Sequence, residues 1–455
     1  MYIINAIKKI QKSKPTLFTT PGHSQGMALV PEIEEIIGKK AFQADFSEVN
    51  GLDNLQSPDD CIAKSLSRTA EIYGSGRSFY LVNSASSGIA AIMLASVKPG
   101  EKVLIARNAH KSVIDALVLS GAVPVWVNTE WDKFWNIPDQ LNPEKIAHML
   151  DKIPDIKALW LTNPTYEGIL SDVERIAGIC SKKNIILVVD EAHGALWNFN
   201  DRLPVPAIHL GADASVQSLH KTASSLTQTA ILHLSPSSKI DPDKVQNSLN
   251  LLNTSSPSYL LLASIEGTIH YLHSAAGRKK LDELLNNADY FRDKLSKYSD
   301  ILYIDDDSYF QTDKTKLLLG ISYMSGHKLH NILEAKYNIE TEMVNNKGIL
   351  ALTGIGTSRE KLDRLSNALI NIERTGNDNE KNYLTPLLEP IMAIPPRLAF
   401  YKDSVMIPPE ESIGQISKDT IVPYPPGIPV LIAGEIIQDE HIKFLADYKQ
   451  IAVVK

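Results

Sequence analysis

Lys221 stands in a stretch of sequence that could hold a reactive amine. The segment ASVQSLHKTASSL (residues 214–226) has one histidine and one lysine among small polar and apolar residues. A lysine in an apolar setting can have a lowered pKa and act as a nucleophile toward carbonyl groups. The same lysine could also be an ordinary solvated charge at a strand end, and this stretch alone leaves both interpretations open.

A second cluster puts a carboxylate where burial is costly. In ILVVDEAHGALW (residues 186–197) an apolar run leads directly into Asp190, and Glu191 and His193 follow. A carboxylate at the end of a buried strand is destabilising unless a cation pairs with it. The pattern therefore indicates either the start of a capped helix or an acid with a cationic partner.

Two further strand ends carry residues that could bind an anion or a flat ring. In LVNSASSGIAA (residues 81–91) small hydroxyl residues, including Ser86 and Ser87, open a helix. Free backbone N–H groups at a helix start suit a phosphate. His110 follows another strand, in IARNAHKSVIDAL (residues 105–117). Taken singly, the serines are compatible with a simple helix cap and the histidine with a structural role.

The order of these clusters along the chain narrows the chemistry. The phosphate-type turn comes first, then His110, then Asp190, and finally Ser218, His220 and Lys221. Pyridoxal 5'-phosphate (PLP) requires such a set: an anion site, a carboxylate that keeps its ring nitrogen protonated, a flat group over the ring, and a lysine for a Schiff base. The combination therefore predicts a PLP enzyme.

The elements that must position these residues alternate between strand and helix. Helical stretches such as 86–97 and 112–121 lie between short apolar runs. Those runs predict seven buried strands, at 78–82, 102–106, 123–127, 158–162, 185–190, 214–218 and 230–234. The alternation predicts an α/β fold with a mostly parallel sheet, in which ligands bind beyond the carboxyl ends of the strands.

The chain is long enough for one large domain and smaller ones. We expect the large domain at 61–300 and a small α+β domain at 301–372, in which KLLLGIS (residues 316–322) is a strand. The polar run ERTGNDNEKNY (residues 373–383) predicts a linker. A proline-rich C-terminal domain follows at 384–455, where we expect rigid, irregular chain rather than regular helix.

Composition excludes several classes of protein. The formal net charge of −7 argues against binding to the phosphate backbone of nucleic acids. Cys61 and Cys180 cannot form a disulfide framework or a cysteine metal site. No apolar run is long enough to span a membrane, and the start of the chain is unlike a signal peptide. We therefore expect a cytoplasmic protein without a metal.

Further motifs give the chain a family likeness. Together with the clusters above, they are TPGHSQG (20–26), DFSEVNGLDNLQSP (45–58), TNPTYEG (162–168) and VPYPPGIPVLIAGE (422–435). With them the chain resembles, over almost its full length, the prokaryotic ornithine/lysine/arginine decarboxylases in the short form without a wing domain. The resemblance implies the PLP-dependent transferase-like fold (fold type I, that of aspartate aminotransferase). It also implies decarboxylation of a basic L-amino acid to a polyamine-type amine and carbon dioxide, with arginine or lysine favoured and ornithine a third candidate.

The resemblance also implies roles around the cofactor ring. Lys221 would form the Schiff base, Asp190 would pair with the pyridine nitrogen, and His110 would stack on the ring. Ala192 would pack under the ring, and His193 would approach the phenolic oxygen. Either Lys221 or His110 would return a proton to the α-carbon of the substrate.

The resemblance assigns the cofactor phosphate to four residues, Ser86, Ser87, Ser218 and His220. Ser84 stands where many relatives have glycine, so we expect this turn to sit slightly differently.

Two expectations concern the substrate tail and the assembly. Glu435 ends a motif that resembles one reaching the active site in the family, so it is the candidate carboxylate for a cationic tail; a solvated surface glutamate is the alternative. In this fold the active site lies between two subunits. Residues 1–60 are therefore expected to contribute to the dimer and its active sites, and the chain to form a homodimer or a larger homo-oligomer.

Two alternatives remain at this point. Another enzyme of the same fold, an aminotransferase or a carbon–sulfur lyase, is the first. An aminotransferase needs an arginine for the α-carboxylate, and Arg397 in IPPRLAF is the available candidate. A non-catalytic homologue is the second, and it would be favoured if Lys221, Asp190 or His110 were missing, whereas all three are present.

Overall fold

A computed structural model describes residues 1–303, 309–373, 387–423 and 427–455. Its strands are β1 (Arg77–Leu81), β2 (Lys102–Ala106), β3 (Val123–Val127), β4 (Trp131–Asp132), β5 (Ile137–Pro138), β6 (Ile156–Thr162), β7 (Ile186–Asp190), β8 (Ala214–Gln217), β9 (Ala230–Leu234), β10 (Ile301–Tyr303), β11 (Lys316–Ile321), β12 (Met343–Val344), β13 (Ile349–Leu352), β14 (Ser404–Ile407) and β15 (Ile451–Val454). Its α-helices are α1 (Ile3–Ser13), α2 (Pro31–Ile37), α3 (Lys39–Ala44), α4 (Cys61–Tyr73), α5 (Ser84–Ser96), α6 (Lys111–Ser120), α7 (Pro143–Lys152), α8 (Val173–Lys182), α9 (Leu219–Thr222), α10 (Pro242–Leu252), α11 (Tyr259–His273), α12 (Ala275–Leu295), α13 (Gly326–Tyr337), α14 (Arg359–Ile370), α15 (Pro396–Tyr401) and α16 (Ile442–Leu445).

Seven strands form the central sheet, in the order β1-β9-β8-β7-β6-β2-β3. The neighbours from β8 to β3 are parallel, whereas β9 is antiparallel to both β1 and β8. All seven predicted strands are found, because continuous apolar runs mark strands that are buried on both faces. The predicted α/β class with a mostly parallel sheet is confirmed.

Helices cover both faces of this sheet, and β2 shows how alternate residues serve the two layers. Val103 and Ile105 belong to the core that includes residues of α5, α6 and α10. Leu104, between them, belongs to the core that includes residues of α7 and α8. The period of two along a strand therefore sends alternate side chains into opposite layers. Packing on both faces holds the sheet in place, together with the polar residues at the ends of its strands.

A second, antiparallel sheet has the order β10-β11-β13-β12. Its apolar core includes Leu317 and Leu319 of β11, Leu329 and Leu333 of α13, and residues of α12 and α14. The predicted strand at 316–322 is thus present as β11. The proposed domain boundaries stay a prediction.

The C-terminal part pairs β14 with β15 and is otherwise largely irregular, as expected from its prolines. The structure differs at the short helices α15 and α16, the first of which begins at Pro396. Proline is compatible with the first helical position, because its missing N–H would have no intrahelical partner there. Except for Glu373, the predicted linker 373–383 lies outside the described residues.

None of the helices in the described residues has the length and apolar content needed to cross a lipid bilayer. Within the same residues, no group of three histidine, cysteine, aspartate or glutamate side chains could hold a metal ion.

Candidate active site

A cavity of about 470 Å³ opens where β6, β7 and β8 end. Parallel strands place their carboxyl ends on one edge of the sheet, which is where α/β folds bind ligands. Eight of the predicted site residues line this cavity: Ser86, His110, Asp190, Ala192, His193, Ser218, His220 and Lys221. The clusters that lie far apart in the sequence therefore meet in one place.

Lys221 and His193 form the centre of the cavity wall. Lys221 lies on the one-turn helix α9, and its Nζ is 2.9 Å from Nε2 of His193. Burial lowers the pKa of Lys221, although the charges of Asp190 and Glu342 oppose this. Burial, helped by the charge of Lys221, also holds the pKa of His193 well below its usual range. A neutral His193 accepts this hydrogen bond only when its proton is on Nδ1. Burial, rather than this contact, favours the unprotonated, nucleophilic amine on Lys221.

Asp190 ends β7 with only 5% of its surface exposed. Its Oδ1 accepts a hydrogen bond from the backbone N–H of Ala192 at 3.2 Å. Its negative charge raises the pKa of both His110 and Lys221 and so opposes the lowering that burial causes. A buried carboxylate in this position suits a cationic group of a bound molecule.

His110 connects β2 to α6 and caps the start of that helix. Its Nδ1 accepts a hydrogen bond from the backbone N–H of Ser112 at 3.1 Å. Burial lowers the pKa of His110, while the nearby charge of Asp190 opposes the shift. The side chain is therefore a neutral ring whose orientation is fixed by the helix that it caps.

The turn before α5 has an unusual backbone. Ser84 has a φ of 69°, in the left-handed region that favours glycine. The backbone N–H of Ser86 donates to Oγ of Ser84 at 3.2 Å. The structure places Ser87 differently from Ser86: its hydroxyl donates to the carbonyl of Ser84 at 2.8 Å, and it does not line the cavity.

The structure does not bring Glu435 to the cavity. This residue is fully buried in the C-terminal part, where one oxygen accepts the N–H of Ile432 at 2.9 Å and the other lies 3.4 Å from Nε2 of His441. Gly434, with a φ of 89°, makes the turn before it. A side chain with no exposed surface and internal partners cannot contact a substrate tail, so the prediction for Glu435 needs correction.

Glu342 and Tyr166 line the cavity and were missed in the sequence. Tyr166 lies in the TNPTYEG motif, and its hydroxyl donates to Oε1 of Glu342 at 2.5 Å. Its ring centroid lies 4.6 Å from that of His193, edge to face. The motif pointed to Tyr166, whereas Glu342 precedes β12 in a polar stretch with no distinguishing pattern. Besides Asp190, a second carboxylate that lines the cavity thus comes from the part of the chain that carries the second sheet.

Arg397, the arginine that an aminotransferase would need, also lies elsewhere. Its guanidinium donates to the carbonyl of Leu119 at 3.3 Å, beside Gly121. It does not line the cavity, so the structure offers no support for Arg397 as a carboxylate-binding residue.

Comparisons with known proteins agree with this geometry. An arginine decarboxylase of Bacillus subtilis (strain 168) is 34% identical to this chain, over 97% of this chain and 92% of its own length. An arginine decarboxylase of Halalkalibacterium halodurans is 32% identical, over 96% of this chain and 91% of its own. A crystal structure of a lysine decarboxylase of Francisella novicida matches the fold with a TM-score of 0.86 at 18% identity, covering 100% of this chain and 81% of that one.

Family models cover most of the sequence. Residues 3–318 match "Orn/Lys/Arg decarboxylase, major domain", and residues 385–452 match "Orn/Lys/Arg decarboxylase, C-terminal domain". The predicted fold type I and the predicted family are confirmed by these matches. The chain therefore belongs to the Orn/Lys/Arg decarboxylase family and is an amino-acid decarboxylase for basic substrates.

Proposed function

We propose that this decarboxylase acts on L-arginine with PLP as its cofactor and releases carbon dioxide and the corresponding amine. The observation that carries the proposal is the cavity in which the amine of Lys221, the carboxylate of Asp190 and the start of α5 meet. The choice of arginine is supported by the two arginine decarboxylases that align over more than nine-tenths of the chain.

The start of α5 fits the phosphate of the cofactor. Backbone N–H groups in the first turn of a helix lack intrahelical partners and carry partial positive charge. Ser86, Ser218 and His220 line the same cavity, and the ring of His220 is held by a 2.9 Å hydrogen bond between its Nδ1 and the carbonyl of Thr229. These three side chains and the helix start are the groups that would hold the phosphate.

Asp190 fits the ring nitrogen of the cofactor. In this role its buried carboxylate keeps a proton on that nitrogen, because the two opposite charges attract strongly away from water. When bound, PLP supplies an electron sink for the bond between the α-carbon and the carboxylate. His110 would cover the ring as a neutral imidazole.

Lys221 is the residue that would hold the cofactor covalently. Burial lowers the pKa of its Nζ and so favours the unprotonated amine, which is the form that reacts with a carbonyl carbon. His193 fixes the position of that nitrogen through the 2.9 Å contact at Nε2. Nζ of Lys221 and the ring of His110 line the same cavity and are the two groups that could return a proton to the α-carbon of the substrate.

Glu342 is the carboxylate that we assign to the cationic tail of the substrate, in place of Glu435. The hydroxyl of Tyr166 binds one of its oxygens and thereby fixes the orientation of the carboxylate. A guanidinium presents parallel N–H groups that match a carboxylate, which an ammonium does not. Glu342 would therefore select for a basic amino acid and suits arginine in particular.

We further propose that the chain works as a cytoplasmic homodimer that makes a polyamine-type amine. Cys61 and Cys180 are both free and buried, consistent with a reducing compartment. The N-terminal segment exposes Phe18, Met27 and Ile36, the kind of surface that a subunit interface covers. Light scattering on the purified protein tests the dimer, and a monomer at micromolar concentration would contradict it.

A substrate panel tests the choice of amino acid. The purified holoenzyme is given arginine, lysine and ornithine at equal concentrations, and carbon dioxide and product amines are quantified by mass spectrometry. We expect the arginine-derived amine to be formed with the highest kcat/KM. A higher kcat/KM for lysine or ornithine would overturn the arginine proposal.

A further inference from the structure

Residues 311–316, here named the anchor segment, connect the second sheet to the wall of the cavity. The backbone N–H of Asp313 donates to the carbonyl of Gly168 at 2.8 Å, and Thr312 bridges to Ile169. The loop held in this way carries Tyr166. The anchor segment therefore fixes the loop of Tyr166, whose ring, like that of His193, lies beside Lys221.

The ammonium of Lys316, at the end of the anchor segment, is fully buried and fully satisfied. It donates to Oδ2 of Asp313 at 2.9 Å, to Oγ1 of Thr315 at 2.8 Å and to the backbone carbonyl of His193 at 3.2 Å. These are the three bonds that an ammonium can make. Oδ2 of Asp313 also accepts the indole N–H of Trp197 at 3.0 Å, so the ion pair binds both ends of the turn from His193 to Trp197.

The side chain of Lys316 packs closely against Gly168, in the loop that carries Tyr166. Gly168 has a φ of 100°, and a β-carbon there would lie 2.7 Å from Cγ of Lys316. Only glycine combines this backbone conformation with so close an approach. The stem of Lys316 is thus packed against one cavity loop while its ammonium binds another.

His193 connects this ion pair to the reactive amine. Its backbone oxygen is bound by Lys316, and Nε2 of its ring lies 2.9 Å from Nζ of Lys221. The ring of Tyr166 lies beside both, with its centroid 5.8 Å from Nζ of Lys221. A buried ion pair contributes little net stability compared with apolar side chains of the same size, so a role in geometry accounts better for its presence.

We propose that Lys316 is a positioning residue for Lys221 and acts through the backbone of His193. The proposal rests on the proposed role of Lys221 as the lysine that holds the cofactor. The charge of Lys316 also acts on the two residues that it positions. Burial is the main cause of the lowered pKa of Lys221 and of His193, and the positive charge of Lys316 lowers both pKa values further.

The test compares Lys316→Met with Lys239→Met in the holoenzyme. Lys239 forms a similar ion pair with the buried Asp213, at 3.1 Å, and donates to the carbonyl of Ile185 at 2.7 Å, but it does not line the cavity. The readouts are the pH midpoint of the visible absorption of the lysine-bound cofactor, kcat and KM, and the thermal unfolding temperature.

For Lys316→Met we expect the absorption midpoint to move to higher pH by about half a unit or more, because a nearby positive charge is lost. We also expect kcat to fall by about tenfold or more while KM stays within about twofold, since the reactive amine is misplaced and the tail site is intact. Lys239→Met should lower the unfolding temperature and leave the midpoint unchanged. A folded Lys316→Met protein with the wild-type midpoint and kcat would overturn the proposal, as would an equal midpoint shift in Lys239→Met.

Thr315→Val provides a second variant in case Lys316→Met does not fold. It keeps the shape of Thr315 and the charge of Lys316 and removes one acceptor of the ammonium, so we expect kcat to fall less than in Lys316→Met, with KM within about twofold and the midpoint closer to that of wild type. A folded Thr315→Val protein with wild-type kcat would overturn the proposal. Lys221→Ala separates the two hypotheses: if it retained the visible absorption, the role of Lys221 itself would fail, whatever the Lys316 variants show.

Discussion

The hydroxyl of Tyr166 and the carboxylate of Glu342 are joined by a 2.5 Å hydrogen bond between the loop after β6 and the residue before β12. Each comes from a different sheet of the molecule, and both line the same cavity. The bond fixes the orientation of the Glu342 carboxylate in the cavity that Lys221 and His193 also line.

Glu342→Gln should raise KM for arginine and leave most of kcat. Loss of a charged hydrogen-bond acceptor costs about 2 kcal/mol, or roughly thirtyfold in KM. Glu435→Gln is the matched control, because Glu435 is buried beside His441 and has no surface in the cavity. It should reduce stability without changing KM, and the reverse pattern would restore Glu435 as the tail site. Steady-state kinetics and thermal unfolding of both variants give the answer.

Lys221→Ala should lose both the visible absorption of bound cofactor and carbon dioxide release. No other amine is described next to Nε2 of His193, so the alanine variant has nothing to replace the reactive nitrogen. Lys111→Ala is the control, because Lys111 is exposed and pairs with Asp115 one turn later on α6. Absorbance spectra of the two proteins after equal loading with PLP distinguish them, and a persistent band in Lys221→Ala contradicts the assignment.

Arg107→Met should destabilise the protein and lower turnover together. The guanidinium of Arg107 is buried and donates to the carbonyls of Leu388, Pro429 and Val430 at 2.9, 2.6 and 3.2 Å. Losing charged donors to buried carbonyls costs about 3 kcal/mol or more. Turnover should fall because the neighbouring Ile428 lines the cavity.

The control for Arg107 is Arg397→Met. Arg397 is half-buried and donates one longer, exposed bond of 3.3 Å to a carbonyl, so its loss should cost under about 1 kcal/mol. Urea unfolding and kcat are measured for both variants. Equal stability of the Arg107 and Arg397 variants would show that the three carbonyl contacts do not hold the C-terminal part in place.

Glu191→Gln should change how stability depends on pH. Burial raises the pKa of Glu191 to about 8, although hydrogen bonds from Gln217 and Ala207 oppose it. Between pH 4.5 and 8 the unfolded chain loses this proton and the folded chain keeps it, so the free energy of unfolding falls by a few kcal/mol, on the order set by the shift. Below pH 4.5 both forms are protonated and the effect is absent.

The measurement for Glu191 is urea unfolding at pH 5 and pH 8. Wild type should lose more stability than Glu191→Gln over this interval, because glutamine has no proton to lose. Identical losses in the two proteins would show that Glu191 does not titrate in this way. Because each protein is compared with itself at the two pH values, a constant free-energy cost of placing an amide beside Gln217 does not affect the result.

The sequence predicted those features that a short run of residues determines locally, such as a strand and the residue at its end. The run ILVVD identified β7 and the strand-end Asp190, because an apolar strand that ends in a carboxylate has few explanations. The prediction for Glu435 needed correction, since its position at the end of a motif does not reveal the turn at Gly434 or the burial of the side chain beside His441. Glu342 could not be found, because its contact with Tyr166 joins residues 176 positions apart.

A weaker signal was available for Lys316. The run DKTKLLLGI places a lysine at the start of a buried strand, three residues after an aspartate. Charges in such a setting are costly unless they pair with each other, so a buried Asp313–Lys316 pair could have been inferred. Its link to His193 could not, because the two residues are 123 positions apart and meet only through the fold.

The anchor segment also limits how the polypeptide can be divided. A fragment that stopped at residue 300 would contain the whole seven-stranded sheet and still lack Asp313, Thr315 and Lys316. The indole of Trp197 and the carbonyl of His193 would then lose their partners, and the loop of Tyr166 would lose its backbone contacts. A fragment that ends at residue 300 is therefore not a transferable catalytic unit, because it lacks the contacts that arrange the residues around Lys221.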